Sequence, residues 1–412
     1  MIKEILSHEK QATVLTIQDS HILSSEQKNT SSHSLRIYYS GLIGVAGALG
    51  EHDELELEKG AMAMLKRGIP YLPEVTQDQQ ICVIYNYDVA HGSDFVSDME
   101  LLLNDLRQDF SEFSFSNAIQ LIDQTHKIQN NAGLFCQYQD HYLDLMLSFK
   151  HHSSTEKSDG SLYCIGRRFV HELFLSYCRE KLNAYLNPCK IEESKRYPVI
   201  FPSNTQALFK ELIFDLDVRN IAKSSSKLSG KIGSKLFSED FTFYQSHHSE
   251  NLLIPFFDAE GTVHLSSECR VPLIQNGEVI QAFSDKRSAL EFGMPHTGSA
   301  TASYDGLPTV ELANYELKAG QQNLINLLQG EKGILVDHCS ESTINADGDY
   351  EITLQKSYLS DGEKLLGLLP PLKLKTSAKE MFNQHFIGVT KDPLYPLNSE
   401  HGVLISMQLH SI

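Results

Sequence analysis

The first residues that could do chemistry in this chain of 412 residues are a histidine and a glutamate on a predicted helix. A zinc hydrolase holds its metal with two histidines on one helix face, and a nearby glutamate deprotonates the bound water. His171 and Glu172 begin such a pattern, but Ser176 stands where the second histidine of an HExxxH motif is needed. We therefore interpret His171 as an ordinary helix residue, since short motifs out of context often arise by chance.

Three other clusters contain metal-binding residue types without a third ligand in the same segment. His151-His152 and His247-His248 lie in polar segments, where we expect solvated pairs, and His338-Cys339 follows an apolar run that is typical of a strand. No GxSxG, Walker A or GxGxxG sequence is present. Serine hydrolase, NTPase and dinucleotide-binding functions are therefore without support.

A stretch from residue 256 to residue 309 has the clearest local signals. The carboxylates of Asp258-Ala259-Glu260-Gly261 could act as a pair, but an Asp shortly before a Gly favours a turn. Two β-type runs follow at 269–275 and 278–283. They are joined by Asn276-Gly277, which accepts positive φ at both positions and predicts a type I′ hairpin. The segment His296-Thr297-Gly298-Ser299-Ala300 is rich in small residues, which lets another backbone come close.

The order of these features resembles the C-terminal domain of the TldD/PmbA family, which carries the old label "modulator of DNA gyrase". Five blocks match the family pattern in order, and they cover most of residues 197–412. They are Tyr197-Pro198-Val199-Ile200-Phe201-Pro202, Phe257 to Gly261, Leu273 to Ala289, Thr297 to Ala300, and Gly333-Ile334-Leu335-Val336 followed by Gly348-Asp349-Tyr350.

This resemblance implies an association with peptide hydrolysis. The TldD branch of the family is a zinc peptidase with HExxxH on the helix after the Pro-Val strand and a cysteine near the C-terminus. Here the helix after Pro202 contains no histidine, and residues 391–412 contain no cysteine. That pattern is similar to the PmbA (TldE) branch, so the resemblance implies no catalytic residue, metal site or cofactor in this chain.

By the same resemblance, the partner is a TldD-like zinc subunit, or a second copy of the chain, and the substrate is an extended, unfolded peptide. The implied peptide-binding residues are His296, Thr297, Gly298, Ser299 and Ala300; a tight turn between strands is the competing interpretation of this segment. Two other functions stay open. One is a stand-alone metallopeptidase with unrecognised ligands among the 18 histidines, and the other is a non-enzymatic homodimer that binds peptides.

Composition limits the remaining choices. A formal net charge of −18 argues against a nucleic-acid partner, because phosphate binding needs clustered lysine and arginine. Seven cysteines without a CxxC pair fit a reducing cytoplasm. No apolar run approaches the ~20 residues that cross a bilayer. We therefore expect a cytoplasmic protein without a membrane segment.

The predicted fold class is α+β, with an N-terminal α+β domain at 1–190 and a β-rich C-terminal domain at 197–412. Helices are predicted at 54–66, 95–110 and 169–185, and the apolar positions of the second and third form stripes. A hairpin is predicted from 119–128 and 134–149, around Asn130 to Gly133. We expect short strands near the start with a polar tip at 24–34, a turn at 41–50, and a helix capped by Ser377.

Overall fold

A computed structural model describes residues 1–87, 89, 94–193, 195–248, 253–264, 269–395 and 397–410. The strands in this part of the chain are β1 (Ile2–Gln18), β2 (His21–Tyr39), β3 (Leu42–Leu49), β4 (Gln79–Tyr85), β5 (Phe113–Asn130), β6 (Leu134–His151), β7 (Gly160–Gly166), β8 (Arg196–Pro202), β9 (Phe243–Ser246), β10 (Arg270–Gln275), β11 (Glu278–Val279), β12 (Ala300–Thr301), β13 (Thr309–Val310), β14 (Tyr315–Leu317), β15 (Gly333–Cys339), β16 (Thr343–Ile344), β17 (Asp349–Ser360), β18 (Leu365–Leu369), β19 (Leu372–Ser377), β20 (Phe386–Pro393) and β21 (His401–His410). The helices are α1 (Glu54–Leu65), α2 (Phe95–Asp109), α3 (His171–Leu186), α4 (Gln206–Leu216), α5 (Val218–Ala222), α6 (Lys286–Phe292) and α7 (Leu324–Leu328). The α+β class is confirmed.

The N-terminal half is built on one long sheet in the order β3-β2-β1-β5-β6-β4, and β7 also pairs with β6. The β5–β6 hairpin turns at residues 131–133, as predicted, and Gly133 has a φ of +90°. Such a φ suits glycine because it has no Cβ to clash with the backbone. These two strands have 18 residues each, and the β1–β2 hairpin is as long, with strands of 17 and 19 residues.

One face of this sheet packs against helices, and the predicted apolar stripes explain why. Leu102, Leu103 and Leu106 of α2 and Phe174 of α3 are fully buried against β5, β6 and β7. The first helix, α1, packs against β2 and β3 and is capped by the Asp53 carboxylate, which accepts a hydrogen bond from the main-chain N–H of Leu55. All three predicted helices are confirmed.

In the C-terminal half, the strands β8, β15, β17, β19 and β21 pair into a closed ring. A separate sheet has the order β11-β10-β9-β14. The predicted hairpin at Asn276-Gly277 is confirmed: it joins β10 to β11, and the two residues have φ values of +47° and +81°. Helix α4 packs its apolar face between the ring and the second sheet.

The two halves share part of a hydrophobic core. Ile200, Leu335 and Leu404 from the ring lie in one buried cluster with the inner faces of α2 and α3. At the same boundary, the Lys181 ammonium on α3 donates to the Asp337 carboxylate on β15 over 2.5 Å. The Lys181 side chain is 1% exposed and that of Asp337 is 9% exposed, so this ion pair is almost dry.

The polar tip predicted at 24–34 is wrong, because those residues form the middle of β2. They pair with β1 without interruption from Ser24 to Tyr38, and their polar character reflects exposure of this part of the strand on both faces. The turn predicted at 41–50 is also wrong, because most of it is β3. Its glycines serve close packing instead: a Cβ on Gly44 would lie 2.1 Å from the carbonyl oxygen of Ala61 in α1.

The helix predicted after Ser377 is wrong as well. Ser377 ends β19, and the following residues form turns that bury Met381 and Phe382 in the core. A capping box alone does not produce a helix. Here tertiary packing holds the apolar residues, and the Phe382 ring lies 5.6 Å from that of Phe209 in α4 and 4.8 Å from that of Phe241. Among the described residues, no helix is long and apolar enough to cross a membrane.

Candidate functional site

The site is built around a buried turn, Asp258 to Gly261, which crosses from the C-terminal half onto the N-terminal sheet. The Asp258 carboxylate accepts hydrogen bonds from the main-chain N–H groups of Glu260 (2.9 Å), Thr262 (2.8 Å) and Ala300 (3.2 Å). The first two hydrogen bonds stabilise the turn, as predicted for an Asp before a Gly. The third connects the turn to the 296–300 segment. Burial raises the pKa of Asp258 to about 6, although these hydrogen bonds act against the increase.

The Glu260 carboxylate faces the N-terminal half. It accepts a hydrogen bond from the Tyr71 hydroxyl and another from the main-chain N–H of Lys286, both at 2.8 Å. Burial, with the negative charge of Asp258 as the second cause, raises the pKa of Glu260 to about 7. This carboxyl group consequently changes its charge near neutral pH.

A second set of buried charges lies beneath the turn. The Arg36 guanidinium donates to the main-chain oxygen of Ala259, and its Nη1 lies 3.4 Å from a Glu4 carboxylate oxygen. The Tyr38 hydroxyl donates to the same Glu4 oxygen over 2.9 Å. Arg36 and Glu4 have essentially no exposed surface. The sheet thus holds the turn through a hydrogen bond from a buried cation, a contact that sequence patterns do not reveal.

The predicted peptide-binding segment lies directly beside this turn. Ser284 and Thr297 exchange hydrogen bonds: the Ser284 N–H donates to the Thr297 hydroxyl (2.9 Å), which donates to the Ser284 carbonyl (3.1 Å). The Gln245 amide donates to the carbonyl oxygens of Thr297 (2.8 Å) and Gly298 (3.0 Å). The Ser299 hydroxyl donates to the Glu311 carbonyl oxygen over 2.7 Å.

Consequently, four of the five predicted residues are buried and much of their main chain is already hydrogen-bonded within the protein. Thr297, Gly298, Ser299 and Ala300 form an anchored layer, whereas His296 is exposed. Peptide binding at this segment stays a prediction. In this conformation His296 is the member of the segment that an incoming peptide would reach from solvent.

Beneath Gly298 lies a stacked pair of histidines that sequence reasoning missed. His247 was predicted to be solvated, but it is buried, and its ring lies 4.0 Å from that of His264 with an angle of 1° between them. The His247 Nδ1 lies 3.3 Å from the Pro255 carbonyl oxygen, and the His264 Nε2 lies 3.2 Å from that of Gly298. Burial lowers the pKa of His247 to about 4 and that of His264 to about 3. Both rings are therefore neutral at neutral pH.

His171 and the His338-Cys339 pair, which were also considered from the sequence, lie on other elements, α3 and β15. His171 has its Nε2 2.8 Å from the Asp105 carboxylate of α2, which gives it a surface ion-pair geometry. His338 and Cys339 form the end of β15 rather than following it. In the described ranges, no three His, Cys, Asp or Glu side chains are grouped as a metal site requires.

The helix after the Pro-Val strand, α4, is packed as an apolar element. Leu208, Phe209 and Leu212 are buried on its inner face. The Phe209 ring lies 5.6 Å from that of Phe382, nearly parallel, and 5.7 Å from that of Phe243. The N-cap residue of α4 is Thr205, and its side chain makes no capping hydrogen bond.

Replacing Gly298 by alanine tests how tightly the anchored layer is packed. A Cβ there would lie 2.5 Å from the His264 Nε2, and the φ of +69° is unfavourable for alanine. We expect Gly298→Ala to lower the free energy of unfolding by about 2–3 kcal/mol in urea titrations. Gly293→Ala is the matched control, because its φ is +65° and nothing lies within 4 Å of the added Cβ. It should cost only about 1 kcal/mol, and equal losses at the two sites would contradict the close packing described above.

The sequence of this chain is similar to those of a known protein family. A family model described as the PmbA/TldA metallopeptidase C-terminal domain matches residues 194–403. An uncharacterized protein of Methanocaldococcus jannaschii is 26% identical over 290 residues, which are 68% of this chain and 64% of that protein. A protein named metalloprotease from Methanothermobacter thermautotrophicus is 25% identical over 153 residues, or 35% of this chain and 31% of that protein. The chain thus covers less than two thirds of the length of either relative.

Solved structures match over nearly the whole chain. TldE from Thermococcus kodakarensis superposes with a TM-score of 0.78 at 18% identity, covering 99% of this chain and 96% of that one. A Thermotoga maritima protein described as a candidate modulator of a DNA gyrase gives a TM-score of 0.76 at 15% identity, with 99% and 95% covered. At these identities the structures show a common fold. Because the family model matches just over half of the 412 residues, this chain belongs to the PmbA/TldD family.

Proposed function

We propose that this chain is a PmbA/TldE-type subunit of a metallopeptidase that processes or degrades unfolded peptides, and that it has no zinc site of its own. The family model's description as a metallopeptidase domain and the relative named metalloprotease support the general activity. They do not distinguish a catalytic subunit from a helper. That distinction rests on the residues of α4.

The observation that carries the proposal is the sequence of α4, QALFKELIFDL. A zinc-binding helix needs two histidines on one face and a glutamate to deprotonate water. Here the inward positions are taken by Leu208, Phe209 and Leu212, which fill the core. Restoring a metal site at this helix would remove aromatic and aliphatic contacts on which the C-terminal half depends.

For the substrate, we propose an extended peptide that passes over the anchored layer at 297–300 and contacts His296. The support is geometric: Asp258, Ser284 and Gln245 hold this layer from beneath, so it is a firm floor rather than a loose loop. A firm surface binds an extended chain with less loss of conformational entropy than a mobile one. In this proposal the zinc belongs to a TldD-like partner subunit. A second copy of this chain is the alternative partner.

We further propose that this complex works in the cytoplasm. All seven cysteines are unpaired, and several are deeply buried as thiols. Secreted proteins of this size tend to use such residues in disulfides, whereas reducing compartments keep them free. The acidic net charge of −18 is compatible with a peptide substrate and not with a nucleic-acid partner.

The test is to capture the tagged chain from its own cells at native expression and assay the captured material on an unstructured peptide, with and without chelator. We expect cleavage by the captured complex that chelator abolishes, and no cleavage by the chain purified alone. Chelator-sensitive cleavage by the lone chain would instead establish a stand-alone metallopeptidase. If no partner is captured and neither sample cleaves, the chain is a non-enzymatic binding protein.

A further inference from the structure

A strongly basic segment begins beside the anchored layer. Residues 218–238, which we call the basic segment, contain five of the 35 lysines and arginines and none of the 53 aspartates and glutamates. In a chain with a formal net charge of −18, this stretch is a local reversal of sign. Its basic residues are all exposed, and they are Arg219, Lys223, Lys227, Lys231 and Lys235.

The main chain of the basic segment is held by the core. The Asp215 carboxylate at the end of α4 accepts a hydrogen bond from the Lys227 N–H over 2.8 Å, and the Asp215 carbonyl oxygen accepts one from the Ser226 hydroxyl over 2.6 Å. Leu228 is buried in the core of the C-terminal half. The lysines therefore project from a fixed main chain, which reduces the entropy that is lost when a ligand binds.

Main-chain contacts place the start of the basic segment at the anchored layer. The Val218 N–H donates to the Phe283 carbonyl oxygen over 3.2 Å. The next residue after Phe283 is Ser284, which exchanges hydrogen bonds with Thr297 of the anchored layer. A single residue thus links the partner of Val218 to the floor on which we propose that the peptide lies.

Helix α6 connects the same region to His296. It packs against α5, the short helix that carries Arg219. Arg287 on α6 is exposed, and the chain reaches His296 four residues after the end of α6. A peptide that continues past His296 would therefore come next to basic side chains of α6 and α5.

Most of these cations are not neutralised by neighbouring carboxylates. Arg219 pairs with Asp217, and Lys235 pairs with Glu239. The other basic residues of this surface have no ion-pair partner in the described part of the chain, and they are Lys223, Lys227, Lys231 and Arg287. Unpaired cations on an acidic protein attract acidic groups of a ligand.

We propose that the basic segment and Arg287 bind acidic side chains of the peptide substrate, so that peptides rich in aspartate and glutamate are preferred. This inference rests on the proposed function, because it takes the peptide to lie on the anchored layer and to pass His296. Within residues 277–296, the exposed carboxylates are Glu278 and Glu291, so positive charge predominates along this path. Complementary charges of this kind determine which ligands bind, and they speed association.

A nucleic acid is the other polyanion that such a surface could attract. The remainder of the chain opposes it, because the acidic residues elsewhere repel a long phosphate backbone. A short acidic peptide can place its few charges against the basic segment alone. The charge distribution therefore favours the peptide.

The test is equilibrium binding of fluorescent, unstructured peptides to the full chain, alone and in the complex captured from its own cells. Three peptides of equal length carry glutamate, glutamine or lysine at the same positions. At low ionic strength, we expect the glutamate peptide to bind at least about tenfold more tightly than the glutamine peptide, and the lysine peptide to bind most weakly. Added salt should reduce this difference, since the charges are exposed.

Charge variants show whether the basic segment causes the preference. Lys223→Gln/Lys227→Gln/Lys231→Gln should bind the glutamine peptide like the wild type and prefer the glutamate peptide by less than about threefold. The Lys→Arg variant at the same three positions keeps the charges and should keep the preference. All three side chains are exposed, and circular dichroism checks that each variant folds.

A matched control removes the same number of exposed, unpaired charges from other elements. It should keep the wild-type preference, because long-range attraction between exposed charges is screened. The control variant is Lys66→Gln/Lys332→Gln/Lys391→Gln.

The outcomes separate this inference from the proposed function. If the wild type binds glutamate and glutamine peptides equally, or if the preference survives the Lys→Gln changes in the basic segment, this inference is wrong and the proposed function stands. If none of the three peptides binds to the chain or to the complex, both are wrong. A single-stranded oligonucleotide that displaces the glutamate peptide at a lower concentration than unlabelled peptide does would also overturn the inference, in favour of a nucleic-acid surface.

Discussion

Replacing Lys181 by methionine should lower the free energy of unfolding by about 3–5 kcal/mol, since it leaves a buried carboxylate without its partner. Asp337 is 9% exposed, and Lys181 is its ion-pair partner. Burial alone would lower the pKa of Lys181, but the adjacent Asp337 carboxylate outweighs it and raises that pKa. Lys181 also donates to the Ser161 carbonyl oxygen over 2.8 Å, so the substitution removes a second contact. Urea titration followed by circular dichroism measures the loss.

Two controls show whether the loss of stability comes from breaking a buried ion pair. Lys210 and Glu341 form an ion pair of 3.1 Å whose side chains are 56% and 87% exposed. Lys210→Met should therefore change stability by less than about 1 kcal/mol. The double variant Lys181→Met/Asp337→Leu should regain most of the stability, because well-packed apolar residues often replace a buried ion pair without loss. A double variant as unstable as the single one would mean that the lost contact is not the ion pair.

Replacing Glu260 by glutamine should remove a pH dependence of stability worth about 3 kcal/mol. Burial and the charge of Asp258 raise the folded-state pKa of Glu260 from 4.5 to about 7. Between these two values the unfolded chain has lost the proton and the folded protein has kept it. Folding then binds a proton, so this group's contribution to stability is present below pH 4.5 and is lost as the pH rises to about 7.

The measurement is the difference in unfolding free energy between wild type and Glu260→Gln, at about pH 4 and about pH 8. We expect the wild type to lose about 3 kcal/mol relative to the variant over this interval. The exposed Glu363 serves as control, and Glu363→Gln should leave the difference flat. A wild type that gains stability relative to Glu260→Gln on raising the pH would show that Glu260 is held as a carboxylate in the folded state.

Regular elements of this fold were predictable because their sequence signals are local. The stripes of α2 and α3 repeat at helical spacing, and Asn276-Gly277 accepts the positive φ that its turn requires. The middle of β2 was missed because it is polar on both faces, so neither an alternation nor an apolar run indicates a strand. Its strand conformation comes from pairing with β1, which is a non-local cause.

The candidate site was only partly predictable for a related reason. Asp258 forms its turn through neighbours in sequence, as a residue before a glycine tends to do. The partners of Glu260 and Arg36 come from distant parts of the chain, and Tyr71 is 189 residues away from Glu260. The buried position of His247 was also not predictable, because its ring stacks on that of His264, which lies 17 residues later in the sequence. No spacing rule links such residues, so only the three-dimensional structure brings them together.

The most direct test of the central claim is the metal content of this chain, measured by mass spectrometry both alone and in the complex captured from its own cells. The account predicts a chain without stoichiometric zinc when purified alone, and zinc in the complex that follows the partner subunit through separation. Zinc at one atom per chain in the isolated protein, retained through extensive dialysis, would contradict the account and would make this polypeptide a metallopeptidase in its own right.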